Sequence, residues 1–191
     1  MTNSSNRQVV HAAAAKVLQF WFEELSQKDW FRKSDTLDNT IAQRFGAVHH
    51  AVAMGEGVDW RTTSEGRLAE IIVLDQFSRN IYRDQPAAFA CDGMALVLAQ
   101  EAVAREDDQH LSEPMQRAFL YMPYMHSESV LAHERAMQLF DQPGLEHNLE
   151  FEEKHKVIID RFGRYPHRNA ILGRESTPEE IEFLKQPGSS F

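Results

Sequence analysis

The stretch Ser64-Glu65-Gly66-Arg67-Leu68-Ala69-Glu70-Ile71-Ile72-Val73-Leu74-Asp75-Gln76-Phe77-Ser78-Arg79-Asn80-Ile81-Tyr82-Arg83 sets the architecture. Its apolar residues, Leu68, Ile71, Ile72, Val73, Leu74, Phe77 and Ile81, surround a helical axis instead of lining one stripe, which is the pattern of a helix covered on all sides. A central helix needs others around it, and the flanking text supplies them. Upstream, Leu37, Ile41, Phe45, Val48 and Val52 recur at spacings of four, four, three and four, one face of an α-helix. Ser34 or Asp35 can cap its start and Gly55 can end it. Before that, Val10, Ala13, Val17, Phe20 and Trp21 mark a first helix that ends before Ser26. Downstream, Pro86 opens a helix through Phe89, Leu96, Val97 and Val103, because proline is comfortable in a first turn.

The C-terminal half reads the same way. Ser112 and Pro114 start a helix through Phe119 and Leu120. Pro123 lies inside it, lacks a donor and clashes with the Phe119 carbonyl, so a kink or break is expected there. A further helix then runs from Ser127 or Ser129 to Phe140, and Asp141-Gln142-Pro143-Gly144 is a turn. Phe151, His155, Ile158, Ile159 and Phe162 define a helix that Gly163 terminates. Thr177-Pro178-Glu179-Glu180 combines a capping-box threonine, a first-turn proline and the partner glutamate of a short last helix ending near Lys185. No window alternates apolar and polar residues between hairpin turns, so no strand is expected. The expectation is an all-α protein of seven to eight helices, paired as antiparallel hairpins in a compact bundle or short superhelix. Residues 1–191 form a single domain in this reading, with an ordered core over residues 8–185 and a flexible tail over 186–191.

Composition narrows the function classes. A chain of 191 residues with 42% apolar and 26% charged residues is globular and long enough to fold without a staple. Lys plus Arg is 20 against 29 for Asp plus Glu, a net charge of −9, which argues against a nucleic-acid partner. The lone cysteine, Cys91, excludes an intramolecular disulfide and a cysteine-rich zinc site, and reads as a small apolar packer. No apolar run approaches the roughly 20 residues of a membrane span. Residues 1–15 lack the longer apolar region of a secretory signal, so a cytoplasmic protein with no membrane partner is expected.

Three stretches could carry chemistry. In the first, Asp75 and Arg79 continue an apolar stripe of the central helix and, four residues apart, can pair on it. The pair either knits helices together or belongs to a polar site in which Arg79, Asn80 or Arg83 faces a ligand. In the second, Arg117, Tyr121, Tyr124 and Glu128 would form one stripe if the helix survived Pro123, while a kink would aim His126, Ser127 and Glu128 elsewhere. In the third, Arg161, Arg164, Arg168 and Arg174 fall with His167 within fourteen residues of an acidic chain. Guanidinium groups suit bidentate carboxylate or phosphate contacts, although arginines near helix ends also satisfy carbonyls and internal carboxylates.

Sharper motifs are missing. Glu152-Glu153-Lys154-His155 is a single Glu-x-x-His where a di-iron bundle needs two, and His133-Glu134 lacks the second histidine of a zincin. His49 and His50 are adjacent and point about 100° apart on a helix, so they cannot jointly hold one metal. No metal site and no cofactor are expected.

The three stretches together resemble a bacterial family known as a domain of unknown function and grouped with tetratricopeptide-like helical superhelices. The matching text is Leu74-Asp75-Gln76-Phe77 with Arg79-Asn80-Ile81-Tyr82-Arg83, Phe119-Leu120-Tyr121-Met122-Pro123 with His126-Ser127-Glu128, and Arg161-Phe162-Gly163-Arg164-Tyr165-Pro166-His167-Arg168-Asn169-Ala170 with Leu172-Gly173-Arg174. Ser78 departs from the proline common at that position of the family, and a serine there continues a helix more easily. The resemblance implies an all-helical, tetratricopeptide-like fold and brings no activity with it.

The leading functional expectation is a helical module that holds an anionic small molecule or peptide in an Arg/His-rich polar pocket. Its binding candidates are Asp75, Arg79, Asn80, Arg83, Tyr121, Tyr124, Arg164, Arg168, Asn169 and Arg174. The alternative is a metal-independent hydrolase or transferase, with His126 or His167 as acid/base, Glu128 as a further candidate and arginines stabilising developing charge. A scaffold role, in which every charge pairs internally and no cavity remains, is the third.

Overall fold

The computed structural model describes residues 11–190. Val10, the start of the expected core at residues 8–10, and Phe191 lie outside the described residues. Among the described residues there are nine helices and no strand, counting each π-helical turn with the helix it extends. The helices are α1 (Ala12–Gln19, extended by a π-turn Phe20–Glu24), α2 (Gln27–Trp30), α3 (Asp35–Ala53) and α4 (Ser64–Ile72, a π-turn Val73–Phe77, then Ser78–Ile81). They continue as α5 (Asp92–Ala104), α6 (Pro114–Met125), α7 (Val130–Phe140), α8 (Glu146–Phe162) and α9 (Pro178–Phe183). The element beyond the expected seven to eight is α2, a single turn held by a capping box between Ser26 and Asp29.

Local chemistry explains the boundaries. Ser34 Oγ accepts the Leu37 N–H at the start of α3, and Thr63 Oγ1 accepts the Gly66 N–H at the start of α4. Gly163 ends α8 at φ 67°, a left-handed cap that glycine adopts without strain. Thr177 and Glu180 form the reciprocal cap of α9 that their spacing predicts.

The helix α4 is central, as its all-round apolar pattern requires. Every residue from Gly66 to Ser78 is buried, and α1, α3, α5 and α6 pack around it. Phe77 and Phe119 both meet the Trp21 ring, at centroid distances of 5.7 and 5.3 Å. Each such ring contributes roughly 1.5–3 kcal/mol by leaving water. One close approach depends on a missing side chain: a Cβ on Gly66 would lie 1.9 Å from the Trp60 carbonyl oxygen. The C-terminal helices α6, α7 and α8 pack as successive neighbours.

Two expectations are corrected. The helix α6 does not break at Pro123; it runs through it and ends at Met125. The donor that Pro123 lacks falls in the last turn, so little helix remains to be disrupted. Pro86 opens a separate 3₁₀ turn, Pro86–Phe89, and α5 begins only at Asp92. Taken together, Pro86–Ala104 spans 19 residues and reaches a mean hydropathy of 1.4, long and apolar enough by composition to cross a membrane. Here that segment is split by the turn, and Ala95, Leu98, Ala99 and Ala102 of α5 are buried in the core. Residues 186–190 form turns, with Ser189 buried and its Oγ donating to the Leu184 carbonyl.

Candidate functional site

The π-turn of α4 holds Asp75. Such turns interrupt the regular ladder and occur frequently at functional sites. Asp75 is fully buried, and both carboxylate oxygens are engaged. Its Oδ1 lies 2.7 Å from His126 Nδ1 and 3.1 Å from Arg79 Nη1, while Oδ2 accepts from Gln76 Nε2 at 2.6 Å. Arg79 turns its guanidinium fork to Asp92, at 2.8 and 3.0 Å. Asp92, in the first turn of α5, has its Oδ2 3.4 Å from Arg168 Nη1, and Arg168 Nη1 donates to the His126 carbonyl at 3.0 Å. The result is a closed ring of Asp75, Arg79, Asp92, Arg168 and His126, drawn from α4, α5, the loop after α6 and the 3₁₀ turn Pro166–Arg168.

The electrostatics follow from burial and from these partners. Burial alone would raise the Asp75 carboxyl, but Arg79 and His126 hold it well below the usual carboxylate range. Burial and the Arg79 charge depress the His126 imidazole, with Asp75 opposing them, so His126 is neutral near pH 7. Arg168 differs from the other arginines around it. Burial, and then repulsion from Arg79, bring it down to about 10, whereas Arg79, Arg83 and Arg164 are raised by their carboxylate partners. Its Nε is buried with no hydrogen-bond partner. The guanidinium stacks on Tyr165 and Phe89, at 4.4 and 4.7 Å from the ring centroids.

Arg168 and His126 face a cavity of about 340 Å³. Pro86, Phe89, Ala90, Gly93, Leu96 and Leu172 give it apolar walls, and Asp92, Ser127 and Glu128 complete the lining. Both lining carboxylates are already engaged. Asp92 carries the Arg79 fork, and Glu128 takes the Arg174 fork at 2.6 and 2.8 Å and the Tyr165 N–H at 2.8 Å. Arg168 is the cationic group of the lining with bonding capacity to spare.

The loop that bears His126 is clamped from behind. His133 Nε2 donates to the Ser127 carbonyl at 2.8 Å, and Tyr165 Oη donates to the Met125 carbonyl. His133 Nδ1 meets Glu152 Oε1 at 2.6 Å in a pocket where burial raises the Glu152 carboxyl. These contacts hold residues 125–128 in place where α6 ends.

The remaining candidates are placed elsewhere. Asn80 and Arg83 both bind Asp38 of α3. Tyr121 is buried and donates to Asp108 at 2.6 Å; Tyr124 is buried in the core. The expected stripe that joined them to Glu128 ends with α6 at Met125. Arg164 grips Glu180 with both arms of its fork, and Asn169 bridges Ser176, Glu180 and Arg174. His167 is not among the lining residues; its Nδ1 is buried without a partner, and burial brings it down to about 4. The structure adds Asp92, Phe89 and Leu172, which sequence reasoning did not put forward as site residues. The one available signal was Asp92, an acidic residue in the first turn of an apolar helix. Among the described residues no three His, Cys, Asp or Glu side chains are placed to hold a metal ion.

Comparison with known proteins agrees with this picture of the fold. Residues 17–188 match the model of a family described as a bacterial protein of unknown function, DUF924. A solved structure from Agrobacterium tumefaciens, ATU0120, also described as a protein of unknown function, is 40% identical. It superposes with a TM-score of 0.86 over 91% of this chain and 97% of that one. No curated protein matches the chain.

Proposed function

Since the chain belongs to the DUF924 family of bacterial proteins, whose description names no activity, we propose a function from the cavity itself: binding of a small, apolar-bodied carboxylate whose anionic group sits on Arg168. The observation that carries this reading is the Arg168 guanidinium on the lining of a cavity with apolar walls, its hydrogen bonds to protein made through Nη1 alone. Desolvating a charge without full compensation is costly, and an anion on that guanidinium supplies the missing acceptor. A volume of about 340 Å³ stands at the small end of ligand sites, which favours a small molecule over a peptide. A scaffold role would leave no such cavity and no such unmet donor. In this reading the protein is cytoplasmic, and neither nucleic acid nor membrane is a partner; the net charge of −9 supports the first of these exclusions.

Isothermal titration with butyrate and benzoate tests the proposal on the wild-type protein and on Arg168→Met. A charge-assisted hydrogen bond contributes about 1.5–3 kcal/mol, so Arg168→Met should weaken binding about 10- to 100-fold. Heats of dilution alone for the wild-type protein, or equal affinity in the variant, would refute it.

A further inference from the structure

We infer that the cavity is also a site of acyl-ester hydrolysis, in which His126 activates water and Arg168 receives the oxygen that becomes negatively charged. The inference rests on the carboxylate-binding reading, because the carboxylate bound there is then the product of the reaction. Three observations support it. His126 lines the cavity, and its Nδ1 is held by Asp75 at 2.7 Å, which leaves Nε2 as the ring nitrogen open for proton transfer. An Asp–His pair of this kind fixes the tautomer and steadies the imidazolium that forms. Burial and Arg79 of α4 depress the imidazole, Asp75 of α4 and Asp92 of α5 oppose them, and Arg168 at its carbonyl and His155 of α8 are the other titratable groups beside it; the balance leaves it neutral and able to accept a proton. Finally, Arg168 shares the lining and makes its hydrogen bonds to protein through Nη1 alone, which leaves donors for stabilising developing charge.

The step balances without a further reactant. His126 Nε2 takes a proton from water as the water oxygen bonds to the acyl carbon, and the carbonyl electron pair moves onto the oxygen facing Arg168. When that pair returns, the bond to the alcohol oxygen breaks, and the departing oxygen takes the proton from the imidazolium. Ester and water become acid and alcohol; the acid releases its proton to solvent and stays on Arg168 as the carboxylate. His126 and Arg168 touch the reacting atoms, whereas Asp75 is a positioning residue.

Hydrolysis of ethyl butyrate, followed by release of butyrate, tests this on the full chain. The wild-type protein should exceed the buffer rate, with butyrate as a competitive inhibitor whose inhibition constant equals its dissociation constant by titration. His126→Gln should lower kcat at least about 100-fold while still binding butyrate. Asp75→Asn should lower kcat and move the acid limb of the pH profile to lower pH, because the negative charge that favours the imidazolium is gone. A structural role alone would not shift that limb. If His126→Gln fails to fold, the inhibition pattern of the wild-type protein decides. Butyrate binding with ethyl butyrate hydrolysed only at the buffer rate would overturn this inference and leave the binding reading standing; no binding would overturn both.

Discussion

Asp75 Oδ1 and His126 Nδ1 lie 2.7 Å apart although 51 residues separate them in the chain. One sits in the π-turn of the buried central helix and the other just beyond the end of α6, and packing of these two helices brings them together. The ring they belong to fixes the wall of the cavity and predicts how the protein responds when its members are changed.

Asp75→Asn should destabilise the fold. Removing one partner of a buried pair costs about 3–5 kcal/mol, and Arg79 keeps Asp92 as a second anchor, so a loss near 3 kcal/mol is expected. The midpoint and slope of urea unfolding measure it. A change below about 0.5 kcal/mol, the range of ordinary surface substitutions, would mean that the ring contributes no stability.

Arg168→Met should cost less stability than Arg79→Met. Arg79 is held by two carboxylates, and its loss leaves Asp75 and Asp92 short of charge. Arg168 has one contact to Asp92 at 3.4 Å, one bond to the His126 carbonyl at 3.0 Å and an unsatisfied Nε, so an apolar replacement removes an ion with a single long carboxylate contact. The stacking lost with it contributes about 0.5–1 kcal/mol per ring at exposed sites and about 2 kcal/mol where water is excluded, and the methionine chain recovers part of that contact. Unfolding of the ligand-free protein should therefore shift by no more than about 2 kcal/mol for Arg168→Met and by about 3 kcal/mol or more for Arg79→Met. Equal losses would mark Arg168 as a structural residue.

Stability should fall as the pH drops from 7 toward 5, earlier than carboxylate titration alone would cause. His155 and His167 are held down at about 3 and about 4, chiefly by burial, against an ordinary value of 6.5. Each contributes stability that is present above 6.5 and lost as the unfolded chain takes up protons the folded chain refuses, about 1.4 kcal/mol per pH unit for each group. His126 adds in the same direction. Glu152 has the opposite sign: raised in the folded state, it stabilises most below 4.5 and loses that contribution as pH rises through its folded value. Urea titrations at half-unit steps should show the decline, and His167→Gln should flatten it. A level profile between pH 7 and 5 would contradict the burial of these rings.

Gly66→Ala should destabilise by about 3 kcal/mol, at the upper end of overpacking, because the new Cβ meets the Trp60 backbone oxygen and not a side chain that can move. Thermal unfolding measures this, and a neutral result would contradict the close approach of the 3₁₀ turn Val58–Thr62 to α4.

The helices and the core were readable because amphipathic spacing is a local property. Ile41, Phe45 and Val52 are buried as their period requires, and the Asp75–Arg79 contact follows from four-residue spacing on one helix. The cavity was readable only in part. His126, Glu128 and Arg168 belong to the motifs, but Asp92 and Phe89 face it because a 3₁₀ turn and a helix start are folded against the loop after α6, a tertiary relation with no period. For the same reason the sequence contained no sign that Asn80 and Arg83 would be bound to Asp38, 42 and 45 residues away. The stripe through Tyr121, Tyr124 and Glu128 assumed a helix continuing past Met125, where the chain instead turns to bring Glu128 to Arg174.

The most direct measurement is the Arg168 Nε–H resonance in the ¹H–¹⁵N spectrum of the wild-type protein, assigned by its disappearance in Arg168→Met. Titration with butyrate should shift it progressively to a saturating value, with the same dissociation constant as calorimetry. A resonance that stays in place at butyrate concentrations saturating any other change in the spectrum would show that Arg168 does not hold the anion.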